Sequence, residues 1–324
     1  GGLIAHINQY IIHIPLLYKI DLLVAPKISF KFSGVNKVMK LMLPAILGTA
    51  VVQINLMIDS IVASLLISGS ISWLYYSDRL VELPLGVFGI AIATVILPAL
   101  SAKYSKKDIS SYKSTLKNAL NISIIFSLPA MFGLIVLSSH IIVSLFYYGS
   151  FTFNDTLMSS LSLIAYSIGL PAFILMKVLL TAFFSRQDTK TPVRYGVIAV
   201  IFNIVMNLSV LTYYLQNPFS GAHAFLALAT SLSAWLQVIL LYKNLRKSNY
   251  LDESAFFTKT SYQSLLSCII MAIILSYTLI DVLEWAQNVY YIRGMLLLMY
   301  IIFGAAIYAS MMYILGYKIK KNYI

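Results

Sequence analysis

The chain has 324 residues, of which 60% are hydrophobic and only 10% are charged, and it carries 23 Lys and Arg against 11 Asp and Glu. Because soluble domains contain about 25% charged residues, this composition excludes a soluble globular protein. Apolar runs of about 20 residues recur along the chain, and each can form a helix that crosses the hydrocarbon core of a bilayer. Strands of a membrane barrel would instead alternate at every second residue. We therefore expect an all-α integral membrane protein.

The hydropathy pattern predicts eight complete spans and the end of another. Residues 1–18 have the pattern of a hydrophobic helix that began earlier, so we expect the end of a truncated transmembrane helix there, followed by a basic linker at 19–40. The run at 140–148 is too short to cross and is expected at the membrane interface. The complete predicted spans are Val38–Ile67, Ser72–Leu100, Leu116–Ser138, Leu157–Phe184, Pro192–Tyr214, Ala222–Tyr242, Tyr262–Leu283 and Gly294–Tyr317.

Basic residues alternate between the connections. Twenty of the 23 lie in the linker, in every second loop after it and in the tail at 318–324. The positive-inside rule assigns such segments to the cytoplasm, so the linker and the C-terminus are predicted to be cytoplasmic. Topology and contact with anionic membrane lipids account for the net charge of +12, and no nucleic-acid partner is expected.

A polar stripe runs along the span between Gly69 and Leu100. Ionisable groups at membrane depth are costly, and they generally line a water-filled cavity or meet a partner. An arginine in such a cavity suits an anionic, phosphorylated substrate, because its planar donors match phosphate oxygens in pairs. The alternative is an ion pair within the helix that neutralises the charge without a ligand. Helical spacing brings together Ser72, Tyr75, Tyr76, Arg79, Glu82 and Gly86 on one face. The predicted substrate-binding residues are Arg79, Ser72, Glu82, Asp78 and Tyr76.

A second polar constellation combines four residues from three spans. Asp59 lies in the middle of one span, Asn203 and Asn207 share a helix face four residues apart, and Thr230 follows in the next span. Carboxylate, amide and hydroxyl oxygens are ligands for a hard cation, and secondary transporters hold coupling ions at such depths. The pattern predicts a Na⁺ site as the only metal or cofactor site; the alternative is ordinary hydrogen bonding between membrane helices. The single cysteine, Cys268, supports no disulfide or cysteine cluster.

Four segments carry a resemblance to a known family. They are QINLMIDSIVASLL at 53–66, GSISWLYYSDRLVELPLGVFGIAIATVILPALS at 69–101, SLFYYGSFTFND at 144–155 and FFSRQDTKTPVRYG at 183–196. They resemble the MurJ (MviN) family of lipid II flippases, and the resemblance extends over essentially the whole chain. It implies the helical bundle of the multidrug and polysaccharide exporter superfamily, here as its C-terminal portion. The implied parts are the end of a helix at 1–18, an interlobe linker at 19–40, a six-helix second lobe at 38–242, two extra helices at 262–317 and a cytoplasmic tail at 318–324.

The resemblance implies a transport function in the bacterial cytoplasmic (inner) membrane. Members flip the undecaprenyl-diphosphate-linked peptidoglycan precursor lipid II by alternating access, without covalent chemistry, and Ser72, Arg79 and Glu82 match cavity positions of the second lobe. The missing N-terminal lobe of the same protein is an expected partner, because half a cavity cannot alternate between two faces. We therefore expect this chain alone to be inactive as a flippase.

Two other functions remain open from the residues. A cation-coupled exporter of small amphiphiles on the same fold would need a cavity dominated by acids, whereas the stripe presents Arg79 with acids beside it. A membrane enzyme acting on polyprenyl-phosphate glycans generally needs acids or bases on a substantial outward loop. The predicted outward connections are short and nearly uncharged, and no catalytic motif is present.

Overall fold

A computed structural model describes residues 2–20, 53–252, 256 and 258–317, and every regular element among them is helical. The elements in chain order are α1 (Gly2–Lys19), α2 (described at 53–64), α3 (Ser70–Pro84), a π-helical segment (Leu85–Ile90), α4 (Ala91–Ser105), α5 (Ile109–Val136), α6 (Ser138–Phe146), α7 (Phe153–Phe184), α8 (Lys190–Gln216), α9 (Ala222–Lys247), α10 (Lys259–Thr278), α11 (Val282–Gln287) and α12 (Tyr290–Ile314).

Seven helices within the described residues are long and apolar enough to cross a membrane, with α3, the π segment and α4 counted as one continuous span, Ser70–Ser105. The prediction of an all-α, multi-pass membrane protein is confirmed. The first half of the predicted span Val38–Ile67, residues 38–52, lies outside the described residues, as do nearly all of the linker at 19–40 and the tail at 318–324. The helix α1, which contains Pro15, belongs to one unit of the chain, and the helices from α2 to α12 belong to a second, larger unit.

In the larger unit, α7 is the central helix and packs against α3, α4, α5, α6 and α9. Small residues allow α7 and α9 to pack close together. A Cβ atom on Gly169 of α7 would meet the Ser231 hydroxyl of α9 at 2.6 Å. That hydroxyl donates to the carbonyl of Ala165 at 2.7 Å. Small residues and interhelical hydrogen bonds are the usual means of joining membrane helices, since lipid tails remove the hydrophobic driving force.

Several helices extend beyond the predicted spans because their ends are capped by polar side chains. Asp108 caps α5 by accepting from the Ser111 amide at 3.0 Å. Thr152 and Asp155 form a capping box at the start of α7. The apolar pattern marks only the part of a helix that faces lipid, whereas caps set its true ends.

The predicted span Tyr262–Leu283 is two helices rather than one. The helix α10 ends at Thr278, and Asp281 begins α11 by accepting from the Leu283 amide at 2.8 Å. The Trp285 indole of α11 is fully buried and donates to Ser144 of the short helix α6 at 3.0 Å. This contact, together with packing of α10 on α5 and of α12 on α6, attaches the last helices to the rest of the larger unit.

Candidate functional site

One face of α3 is fixed to α7 by two hydrogen bonds. The Trp73 indole donates to Asp155 Oδ1 at 2.7 Å, and the Ser77 hydroxyl donates to the Ser159 carbonyl at 2.7 Å. Trp73, Ser77 and Val81 are all buried and are spaced by four residues, so they form one side of the helix. The opposite side of α3, which carries the polar stripe, is therefore turned away from α7.

Arg79 and Glu82 form an exposed ion pair on that opposite side. Arg79 Nη1 lies 2.6 Å from Glu82 Oε2, and the two side chains are 55% and 49% exposed. The guanidinium also lies 5.0 Å from the centre of the Tyr75 ring, within the range of a cation–π contact. At 1.5 Å per residue, Arg79 lies about 14 Å along the helix from Ser70. Both charges therefore face outward from a span that otherwise suits lipid.

The other predicted substrate-binding residues are arranged differently around this pair. Ser72 is exposed on the first turn of α3, whereas Asp78 is half-buried and lies within electrostatic reach of Asp59. The Tyr76 ring packs 4.6 Å from Phe146 and 5.5 Å from Phe151, measured between ring centres. The structure therefore joins Arg79 and Glu82 directly, leaves Ser72 on the same open surface and directs Tyr76 towards α6 and the loop after it.

Tyr75 is the residue of this site that sequence reasoning left out of the predicted set. It lies on the predicted polar face beside Tyr76, and helical spacing alone does not separate neighbours that differ by about 100°. The signal that separates them is the position of Trp73 and Ser77, which define the buried side of α3. Tyr75 is exposed, as is the Arg79 side chain that it contacts.

On the C-terminal side of the ion pair, the backbone hydrogen-bond pattern changes from α-helical to π-helical. Pro84 is followed directly by the π-helical segment Leu85–Ile90, which leads into α4. Proline removes one backbone donor from a helix, and single-turn π segments commonly accompany such interruptions at functional sites. Gly86, predicted to belong to the polar face, has open space beside it, because an added Cβ atom would meet nothing within 4 Å.

The second predicted constellation is a contiguous cluster in the structure. Asn207 Nδ2 donates to Asp59 Oδ1 at 2.5 Å, and the Thr230 hydroxyl donates to Asp59 Oδ2 at 3.4 Å. Asn55, one turn before the acid, donates to Asp59 Oδ2 at 3.2 Å and was absent from the prediction. Asp59, Asn203 and Asn207 are buried. Helices α2, α8 and α9 therefore each contribute to one polar cluster around a carboxylate.

The side-chain amides of Asn203 and Asn207 differ in how their oxygen atoms are paired. The Asn203 nitrogen donates to the Thr230 hydroxyl at 3.2 Å, and the Asn203 oxygen accepts from Asn207 Nδ2 at 2.9 Å. The Asn207 Oδ1 atom is buried and has no hydrogen-bond partner. Asn207 presents its nitrogen to Asp59, and its unpaired oxygen belongs to a chemical class that binds hard cations. Within the described residues, no group of three or more His, Cys, Asp or Glu side chains is placed to hold a metal.

Comparison with known proteins gives the family. The sequence model described as "Lipid II flippase MurJ" matches residues 1–297. The chain belongs to the MurJ family. A "Probable lipid II flippase MurJ" of Vibrio cholerae serotype O1 is 49% identical over 245 residues, which are 76% of this chain and 45% of the relative. One of Haemophilus influenzae is 38% identical over 334 aligned residues, which cover 100% of this chain and 62% of the relative.

A solved structure supports the same assignment. The structure titled "Lipid II flippase MurJ, inward closed conformation" superposes with a TM-score of 0.70 at 28% sequence identity, covering 91% of this chain and 57% of the other. The chain spans about half the length of the curated MurJ relatives it matches. The seven helices of the described ranges that are long and apolar enough to cross a membrane, together with the MurJ membership, support a multi-pass protein of the inner membrane.

Proposed function

We propose that this chain forms the second half of a lipid II flippase, with its linker and C-terminus in the cytoplasm. The substrate is the undecaprenyl-diphosphate-linked peptidoglycan precursor, and no covalent bond is made or broken. The observation that carries the proposal is the exposed Arg79–Glu82 pair on a membrane-spanning helix. Two charges facing outward from such a helix are compatible with a water-filled cavity and costly against lipid.

The chemistry of the pair suits reversible capture of a diphosphate. The guanidinium of Arg79 can exchange one carboxylate partner for two phosphate oxygens, because its planar donors bind both groups in the same geometry. Glu82 then acts as the competing anion that holds Arg79 while the site awaits substrate. Tyr75 limits the directions that the guanidinium takes, since its ring lies on one side of the charge.

The first lobe is the proposed partner of this surface. The polar side of α3 is turned away from the helix that anchors it, so a cavity needs a second wall. The aligned part of this chain covers 45% of one matched relative and 62% of the other, so both relatives are long enough to include such a lobe. We therefore propose that the chain does not flip lipid II unless a first lobe is present.

Complementation tests this function. In a bacterium depleted of its own lipid II flippase, a chimera that joins the preceding segment of the Vibrio cholerae relative to this chain should restore growth, and the chain alone should not. Arg79→Ala in the chimera should abolish rescue, and Arg79→Lys should rescue partially, because lysine retains the charge without paired donors. Rescue by the chain alone would refute the need for a first lobe, and full rescue by the Arg79→Ala chimera would refute the role of Arg79.

The alternatives predict different ligands. A cation-coupled exporter of amphiphiles would bind a cationic dye in preference to lipid II, and a membrane enzyme would convert a polyprenyl-phosphate glycan into a new product. The pairing of Glu82 with Arg79 leaves this pair without net negative charge, which disfavours a cationic ligand there. Dye binding and product analysis on the purified chimera separate the three functions.

A Na⁺ ion at the Asp59 cluster is a second proposal, and the buried unpaired oxygen of Asn207 favours it. The ligands would be Asp59, Asn203, Asn207 and Thr230, which come from three helices, so an ion there would couple their positions. NaCl should raise the melting temperature of the protein relative to equimolar choline chloride, and Asp59→Asn should remove that difference. The control is Ser60→Ala, whose hydroxyl bonds only within α2. An unchanged Na⁺ effect in Asp59→Asn would disprove the site.

A further inference from the structure

A basic cavity lies far from the Arg79 surface, at the start of α5. It has a volume of about 500 Å³ and lies between the first turns of α5 and the segment that follows α9. The lining side chains are Ile109, Ser110, Lys113, Ser114, Lys117 and Asp252. The four polar ones on α5 fall at positions i, i+3, i+4 and i+7, so two hydroxyls and two ammonium groups share one helix face.

The lysine in the wall of this cavity is already positioned by the protein. Lys113 Nζ donates to Asn249 Oδ1 at 2.8 Å and lies 3.1 Å from Asp252 Oδ1. Its side chain is 21% exposed, whereas that of Asp252 is 55% exposed. The partly buried cation is therefore held in place by a neutral amide, and its acidic partner lies on the open side, where another anion can replace it.

The location of the cavity favours a lipid headgroup over a soluble ligand. It lies at the end of a membrane-spanning helix whose opposite face, at Tyr112 and Leu116, is fully buried in the bundle. Basic residues clustered beside the end of a membrane helix attract anionic lipid headgroups. A cavity of 500 Å³ suits a small organic ligand, and one phosphate ion alone would fill little of it.

We propose that this cavity binds the phosphate of an anionic phospholipid headgroup, with Lys113 and Lys117 as its cationic ligands and Ser110 and Ser114 as donors. The bound phosphate replaces Asp252 beside Lys113. The first backbone amides of α5 are not part of the site, because Asp108 accepts from the Ser111 amide and places a carboxylate there. This inference is independent of the transport function.

Lipid titration of the purified 324-residue chain in zwitterionic detergent tests the site. Native mass spectrometry should show tighter binding of phosphatidylglycerol than of phosphatidylcholine. Lys113→Gln and Lys117→Gln should each weaken phosphatidylglycerol binding about fivefold or more, as expected for loss of a charge-assisted hydrogen bond. The matched control is Lys106→Gln, which removes the same charge from an exposed residue outside the cavity lining and should change binding less than twofold.

Asp252→Asn provides a test that a folding defect cannot imitate, because it should strengthen phosphatidylglycerol binding severalfold by removing the competing carboxylate. Equal losses in Lys113→Gln and Lys106→Gln would overturn the site in favour of general charge attraction. Absence of a gain in Asp252→Asn would overturn the displacement of Asp252. Inorganic phosphate should compete only weakly, and competition equal to that of the lipid would overturn the headgroup in favour of a free anion.

Discussion

The Arg79 surface and the Asp59 cluster are both polar sites on membrane helices, yet they are satisfied in opposite ways. Asp59 is 8% exposed and receives hydrogen bonds from side chains of α2, α8 and α9. Arg79 is exposed, and the ion-pair and ring partners described for it, Glu82 and Tyr75, both lie on α3. The fold of this chain therefore completes the Asp59 cluster and leaves the Arg79 surface open.

This difference separates two roles for a polar group in a membrane protein. A buried carboxylate with several donors stabilises the packing of the helices that supply them, because each donor would otherwise be unpaired. An exposed arginine paired only within its own helix contributes little to stability, since water screens it. Its presence on a membrane helix is explained by a ligand or by a facing lobe. Variants of the Asp59 cluster should therefore change stability, whereas variants of Arg79 should change ligand binding.

The largest effect on stability is expected at the cluster. Asp59→Ala removes the acceptor for Asn55, Asn207 and Thr230, so the chain should lose about 2 to 3 kcal/mol of unfolding free energy. Arg79→Ala should leave the melting temperature unchanged. Thermal unfolding in detergent measures both. Equal destabilisation by the two variants would remove the distinction between a completed site and an open one.

A smaller loss is expected where α3 is anchored to α7. Trp73→Phe keeps an aromatic ring but removes the donor to the Asp155 carboxylate, and it should cost about 1.5 kcal/mol because the acceptor is charged. The matched variant Trp235→Phe loses a bond to the Ile168 carbonyl and should cost about 0.5 to 1 kcal/mol. Unfolding curves compare the pair. A larger loss for Trp235→Phe would show that Asp155 is not the stronger anchor.

A few-fold effect on ligand affinity is expected from the ring beside Arg79. An exposed cation–π contact contributes about 0.5 to 1 kcal/mol, so Tyr75→Leu in the chimera should weaken lipid II binding about two- to fivefold. Tyr76→Leu should change it less, since Tyr76 packs against Phe146 and Phe151. Titration with fluorescent lipid II measures both affinities. A larger loss of affinity in Tyr76→Leu than in Tyr75→Leu would place Tyr76 in the site, where helical spacing predicted it.

The smallest effect is a pH dependence at the α5 cap. Hydrogen bonds from Ser111 hold the pKa of Asp108 below its usual value. A lowered folded-state pKa stabilises the protein above the unfolded pKa of about 3.9, and that contribution is lost as the pH falls through the lower folded value. Asp108→Asn keeps a capping side chain without the titration. Between pH 5 and pH 3 the wild type should therefore lose slightly more stability than Asp108→Asn, and identical pH profiles would contradict this.

Much of this organisation was predictable from composition and periodicity. Low charge predicted the membrane bundle, and helical spacing predicted the polar stripe, because both follow from local rules. The cluster was predicted only in part: Asp59, Asn203, Asn207 and Thr230 were singled out as oxygen ligands at membrane depth. Asn55 was missed, although it lies four residues before Asp59 on the same helix, a spacing at which side chains are neighbours.

What the sequence left open depends on contacts between helices. The choice between Tyr75 and Tyr76 required the side of α3 that packs on α7, and no local pattern specifies that side. The break between α10 and α11 required the burial of Trp285 against α6. The role of Lys113 required the position of Asp252, which lies 139 residues away in the sequence.

The proposed role of Arg79 is to bind the diphosphate of the substrate. Binding of undecaprenyl diphosphate to the chimera tests this role most directly. Arg79→Ala should weaken binding tenfold or more without a change in melting temperature, as loss of paired, charge-assisted donors predicts. Arg194→Ala, which removes the same charge from an exposed position on α8, should bind as the wild type does. Wild-type affinity in Arg79→Ala, or an equal loss in Arg194→Ala, would contradict the account.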